Sequence, residues 1–297
     1  MTNGPVPSGG GAPVSRRAAR EDRAKASRAG RDLPVAIGVG AVLAAAVVVG
    51  LFVFQPLFLV FAVLACAVGS WEVARALHTH AGVVVPLVPL IFASLALPTA
   101  ASVSGAPGLA VALCAAGVLT AVWNALEAGR DAGRSVAYGL LVVGWIPLLA
   151  SFALLLLREN SGNILLMSVL LLVVANDTFG YLFGAWLGKH PMAPRISPKK
   201  SWEGMAGSIG GAVVVGIALC LFALHAPWWV GIALAVPTVL ASTAGDLAES
   251  MVKRELGIKD MSHLLPGHGG VMDRLDSMLF AVPVGYLVAV LALGLPA

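Results

Sequence analysis

Charge is scarce in this chain of 297 residues: Asp, Glu, Lys and Arg together make up 11% of it, against 59% hydrophobic residues. A soluble core of that composition would need helices with polar faces, and the apolar runs here are apolar all round. They recur in lengths of about 20 residues, enough to cross a hydrocarbon core roughly 30 Å thick. Cysteine is also scarce. Cys66, Cys114 and Cys220 each lie inside an apolar run without paired spacing, which excludes a disulfide framework and a CxxC metal site and leaves them as packing residues. The histidines show no HExxH or comparable spacing, so a zinc site is not indicated. There is no glycine-rich loop ending in GK[ST], so a Walker-type NTPase is not indicated either. The first 32 residues are polar rather than a short basic region followed by an apolar core, so no cleavable signal peptide is expected.

What remains predicts an all-α, polytopic integral membrane bundle. Nine spans are expected, at about 34–54, 56–76, 82–101, 107–127, 135–157, 163–187, 205–225, 227–248 and 271–294. Residues 1–32 are rich in Gly, Pro, Ser, Ala and Arg and read as a disordered basic tail. Residues 33–160 form an N-terminal group of helices. Residues 161–297 form a C-terminal catalytic region with two polar loops, 188–204 and 249–270. Lys and Arg collect in cytoplasmic loops, and this arrangement puts 18 of the 19 basic residues on one side, leaving Arg158 alone opposite. The N-terminus and both polar loops are therefore expected on the cytoplasmic side, where nucleotides are found.

The few charges within or beside apolar spans carry the chemistry, because such residues are costly there and face a cavity or a partner. Glu72 and Arg75, three apart at a helix end, suit a local ion pair. Asp177, in VVANDTFGYLFG, has no obvious partner. In STAGDLAESMVKRELG, a continuing helix lines up Asp246, Glu249, Ser250, Lys253 and Arg254 as one polar stripe, within which Glu249 and Lys253 suit an i to i+4 pair. In GHGGVMDRLDS, Asp273 and Asp276 lie one turn apart behind Gly267, Gly269 and Gly270, at a point where a helix N-terminus and exposed backbone N–H groups favour phosphate. Carboxylates at the same place suggest Mg²⁺, which binds through one or two carboxylates plus substrate phosphates. His268 is open to three readings: phosphate contact, proton transfer or turn shape. Together these features describe a phosphoryl or nucleotidyl transfer site.

The stretch from Ser250 to Asp276, with Lys253, Arg254, Lys259, Asp260, Leu265, Pro266, His268, Gly269, Gly270, Asp273, Arg274 and Asp276 in place, resembles the signature of the phosphatidate cytidylyltransferase (CDP-diacylglycerol synthase) family. The segments NDTFGYLFGAWLGKHPMAPRISPKKSWEG and GDLAES are similar to that family too, with Ser201 where it often has threonine. The resemblance is strong over about residues 160–297 and rests on hydrophobic pattern before that. It implies condensation of CTP with phosphatidic acid to CDP-diacylglycerol and pyrophosphate in phospholipid biosynthesis. The implied cofactor is Mg²⁺, as one or two ions. The implied setting is the plasma membrane with the site facing the cytoplasm, a lipid bilayer but no nucleic acid as partner, and room for a homodimer. Expected catalytic residues are Asp246, Asp273, Asp276, Lys253 and Arg254, with the three aspartates as metal ligands. Expected substrate contacts are Asp177, Ser197, Lys199, Lys200, Ser201, Glu203, Ser250, His268, Gly269, Gly270 and Arg274; for Arg274, locking the aspartates in place is an equal alternative. Two rivals stand beside this reading: a CTP-dependent polyprenol kinase, which would release CDP, and an ion-coupled transporter, since intramembrane aspartates also mark transport sites.

Overall fold

The computed structural model describes residues 35–294, apart from 36 and 128–130. The basic tail expected at 1–32 lies outside the described residues. A short apolar helix, α1 (Ile37–Phe52), leads into α2 (Gln55–Ala81) and α3 (Leu87–Glu127). Next come α4 (Ala132–Val143), one π-helical turn (Gly144–Leu148) and α5 (Leu149–Leu157), which together make one continuous membrane-length rod. The C-terminal group is α6 (Gly162–Leu187), α7 (Trp202–Phe222), α8 (Trp228–Glu255) and α9 (Met272–Leu293). Among the described residues, seven helices are long and apolar enough to cross a membrane, with α3 counted as one. The protein is an all-α polytopic membrane protein, with one local exception: the loop before α7 forms an antiparallel hairpin, β1 (Pro191–Ala193) with β2 (Ser197–Ser201).

The third and fourth expected spans are the two arms of α3. They meet at Gly105, whose φ of 68° and ψ of −155° lie outside the helical region. Such a break frees carbonyls from the helical ladder, and they need other donors. Arg158 supplies the donors: its Nη1 reaches Ser102 O at 2.7 Å and Val103 O at 2.8 Å. The single basic residue on the far side of the charge count therefore holds a helix break together. The π-helical turn has an equally local cause. Pro147 lacks an N–H and cannot continue the α-helical ladder, and Ser151 Oγ donates to Pro147 O at 2.6 Å.

Close packing of α6, α7 and α8 comes from small residues, the usual device where apolar burial gives no driving force between helices. A Cβ at Gly207 would stand 2.4 Å from Phe183, and one at Gly211 would stand 2.1 Å from Phe179, so two phenylalanines of α6 lie directly on glycines of α7. Between α7 and α8, a Cβ on Gly216 would meet Gly231 O at 2.6 Å, and one on Gly231 would meet Gly216 O at 2.5 Å. The polar end of α8 is thereby held beside the hairpin. Of the cysteines, all free, Cys66 and Cys220 are buried as expected of packing residues, whereas Cys114 is exposed on the apolar surface.

Candidate active site where α8, α9 and the hairpin converge

The helix expected to end near residue 248 continues to Glu255, so the polar stripe forms as one helical face and the loop shortens to 256–271. Lys253 Nζ sits 2.9 Å from Asp273 Oδ1 and 3.3 Å from Glu249 Oε1, which joins α8 to α9. Ser250 Oγ donates to Asp246 Oδ1 at 3.2 Å. On its other oxygen Asp246 is paired with Lys200 of β2, which ties the hairpin to the stripe. Gly245 brings the helices together: a Cβ there would lie 2.5 Å from Asp276 O. Asp276 consequently stands beside Asp246, and Asp177, Asp246, Asp276 and Lys200 lie within electrostatic reach of one another.

Next to this group opens a cleft of about 290 Å³, walled by α6, the hairpin, α7 and α8. Five of the expected substrate contacts line it: Asp177, Ser197, Lys199, Lys200 and Ser201. Asp177 has a supporting shell that the sequence did not reveal. Asn176 Nδ2 donates to Asp177 Oδ1 and to Ser242 Oγ, each at 3.2 Å, while Ser208 Oγ donates to Asn176 O at 2.7 Å. Three helices thus meet at Asn176, α7 at its backbone carbonyl and α8 at its side-chain amide, and that fixes the carboxylate at the cleft wall.

Other expected contacts have local structural partners instead. Glu203 accepts from Lys189 N, His190 N and His190 Nδ1 at 3.1, 3.2 and 2.5 Å, closing the base of the hairpin. Ser201 is the N-cap of α7, accepting from Gly204 N at 3.1 Å. The exposed Arg254 donates from Nε to Ile196 O at 3.3 Å, so it pins the hairpin turn rather than entering the cleft. Arg274 Nε donates to His268 O at 3.1 Å, and both its oxygen partner and its exposure put it on the loop, not on the aspartates. His268 packs toward α1, where a Cβ on Gly40 would approach its Nε2 to 3.4 Å; its Nδ1 is buried with no partner among the described residues. Gly267 and Gly269 adopt φ of 75° and 82°, the left-handed backbone that this tight turn requires.

Two carboxylates have partners that the sequence did not indicate. Asp273 does not present a free carboxylate: Oδ1 faces Lys253, and Oδ2 accepts from Gly270 N at 2.8 Å and Met261 N at 3.0 Å. With both oxygens engaged by donors, it ties the loop and the start of α9 to α8. Glu72 does not form the local pair with Arg75. Arg75 lies over the Trp71 ring at 5.3 Å, while the fully buried Glu72 reaches the start of α9, nearly 200 residues away in sequence. Sequence reasoning also missed Glu249 as a site residue. It is completely buried, and its carboxylate has no hydrogen-bond partner among the described residues.

Among the described residues, no three His, Cys, Asp or Glu side chains gather closely enough to hold a metal alone. The donor set still suits Mg²⁺, which takes one or two carboxylates and completes its shell with water and substrate phosphates. Asp246 and Asp276 are hard oxygen donors side by side at the rim of the cleft.

The fold and the site define a polytopic membrane enzyme whose lysines and carboxylates meet at the rim of the bundle. The cytidylyltransferase family model matches residues 35–292. The chain is 40% identical over 301 residues to the phosphatidate cytidylyltransferase of Mycobacterium leprae, covering 94% of each chain. It is 36% identical over 306 residues to that of Mycobacterium bovis, covering 98% of this chain and 99% of the relative. A shorter match, 46% identical over 129 residues, joins 41% of this chain to 44% of the Haemophilus influenzae enzyme of the same name. The chain belongs to the cytidylyltransferase family.

Proposed function

We infer that the cleft is where CTP meets phosphatidic acid. The enzyme condenses the two to CDP-diacylglycerol and pyrophosphate, a step of phospholipid biosynthesis, as the names of its nearly full-length relatives support. The observation that carries the assignment of the site is the ion pair of Lys200 with Asp246 at the mouth of a cleft lined by Lys199 and Asp177, with Asp276 alongside.

The lipid phosphate is already an anion and needs little general-base help. One of its oxygens attacks the α-phosphorus of CTP, the bond from that phosphorus to the bridging oxygen of the β-phosphate breaks, and pyrophosphate leaves. The barrier is chiefly the approach of two anions, which cationic side chains lower by neutralising charge and holding an in-line geometry. Lys199 and Lys200 supply that charge from the hairpin. Lys253, held by Asp273 and Glu249, supplies it from α8. Bound Mg²⁺, held by Asp246 and Asp276, would add Lewis-acid stabilisation of the phosphoryl oxygens. Lipid enters laterally from the bilayer, and nucleotide enters from the cytoplasm. The proposed topology is nine spans with the N-terminus inside, counting α1 and both arms of α3. The proposed location is the plasma membrane with the cleft on its cytoplasmic face. The orientation is supported by the one-sided distribution of Lys and Arg.

CTP labelled separately at the α- and γ-phosphates tests the reaction. Label from the α-position is expected in the lipid and label from the γ-position in pyrophosphate. γ-label in the lipid would identify a kinase. Solute movement in proteoliposomes without CTP consumption would identify a transporter.

A further inference from the structure

A carboxylate from the N-terminal half of the chain is built into the active-site loop. Glu72 on α2 is 1% exposed, in a protein where a buried charge must be matched by donors. Its donors all come from the loop and the start of α9: Ser262 Oγ to Oε1 at 2.5 Å, Val271 N to Oε1 at 3.0 Å and Met272 N to Oε2 at 2.7 Å. The residue that would normally cap α9, Val271, has no side chain able to do so, and two of the orphan N–H groups of a helix N-terminus are satisfied by Glu72 instead. Gly270 is shaped to this contact. A Cβ there would stand 2.8 to 3.0 Å from the carboxylate atoms of Glu72.

From that cap the consequences run directly to the site. The same turn donates Gly270 N to Asp273, which holds Lys253, and one helical turn further on Asp276 faces Asp246. We propose that Glu72 is a positioning residue for cytidylyl transfer, a cap supplied by α2 that sets the height and rotation of α9 and so the placement of Lys253 and Asp276. It touches neither substrate. This proposal rests on the assignment of the α8–α9 junction as the catalytic site, and its test includes a readout independent of turnover.

Glu72→Gln keeps the volume but leaves one acceptor oxygen for three donors. It is expected to lower kcat about 10- to 100-fold, the scale on which small misplacements act, with KM for CTP and phosphatidic acid changed no more than about twofold. Gly270→Ala, which pushes a methyl group against the carboxylate, is expected to produce the same split. Combining it with Glu72→Asp, which shortens the acid by one methylene and makes room, is expected to recover activity relative to Gly270→Ala alone. Independently of catalysis, tryptic cleavage between Lys253 and Arg274 in the folded protein is expected to speed up in both single variants and slow again in the double variant. Wild-type kcat in Glu72→Gln would overturn the proposal. So would failure of the double variant to recover kcat, or unchanged cleavage in variants that lose activity. If the wild-type protein made no CDP-diacylglycerol while the cleavage pattern followed the cap, the reaction assignment would fall and the contact would stand.

Discussion

Asp273 and Asp276 sit one helical turn apart and yet have different partners. Asp273 accepts two backbone N–H groups and faces Lys253, whereas Asp276 stands against Asp246. Asp273→Asn is therefore expected to lose turnover together with loop order, at a cost of about 1 to 3 kcal/mol for the lost charged acceptor. Faster proteolysis of residues 256–271 and a lower unfolding midpoint would register that loss. Lys200→Ala and Lys199→Ala are expected to raise the apparent KM for CTP about tenfold or more. Unchanged values in both would leave these lysines as topology determinants only. At this scale the sequence was legible where a residue's placement depends on its own helical face, as for Asp246, Ser250 and Lys253. It was not legible where the partner is remote. Nothing near Glu72 in sequence indicates Val271 and Met272, and the i to i+3 spacing to Arg75 offered a simpler explanation that the fold does not use.

At the level of elements, the spans were legible from length and hydropathy because apolar runs of membrane length have few alternatives. Their ends were less so. The eighth span extends through a charged stretch to Glu255 because Lys253 is neutralised from both α8 and α9, which lets the helix continue past the apolar region. The hairpin before α7 escaped notice because its strands are three and five residues long, too short for an alternating pattern. Two predictions belong here. Arg158→Ala is expected to destabilise the break at Gly105 by about 1 kcal/mol or more, lowering the unfolding midpoint in detergent while leaving KM for both substrates unchanged. Gly207→Leu is expected to displace Phe183 and separate α6 from α7, widening the cleft and costing about 1 to 3 kcal/mol; a lower unfolding midpoint with a raised KM for CTP would record it.

At the level of the whole molecule, the account joins an amphiphilic substrate pair to an amphiphilic protein. The apolar helices leave large hydrophobic side chains such as Val103, Val111 and Leu291 facing outward toward lipid, while the lysines and aspartates gather at one rim. Topology can be read by introducing single cysteines into a variant lacking the native three. Lys259→Cys is expected to react with an impermeant thiol reagent from the cytoplasmic side, and Asn160→Cys from the opposite side; the reverse pattern would invert the proposed orientation. The central claim is that the junction carrying Asp246 and Asp276 performs the transfer. It is tested most directly by the rate of CDP-diacylglycerol formation from CTP and phosphatidic acid in proteoliposomes, titrated with Mg²⁺, for the wild-type protein and for Asp246→Asn and Asp276→Asn. The account predicts a loss of about 100-fold or more in each variant, with folding preserved and no other NTP replacing CTP in the wild type. Near-wild-type turnover in either folded variant would contradict it.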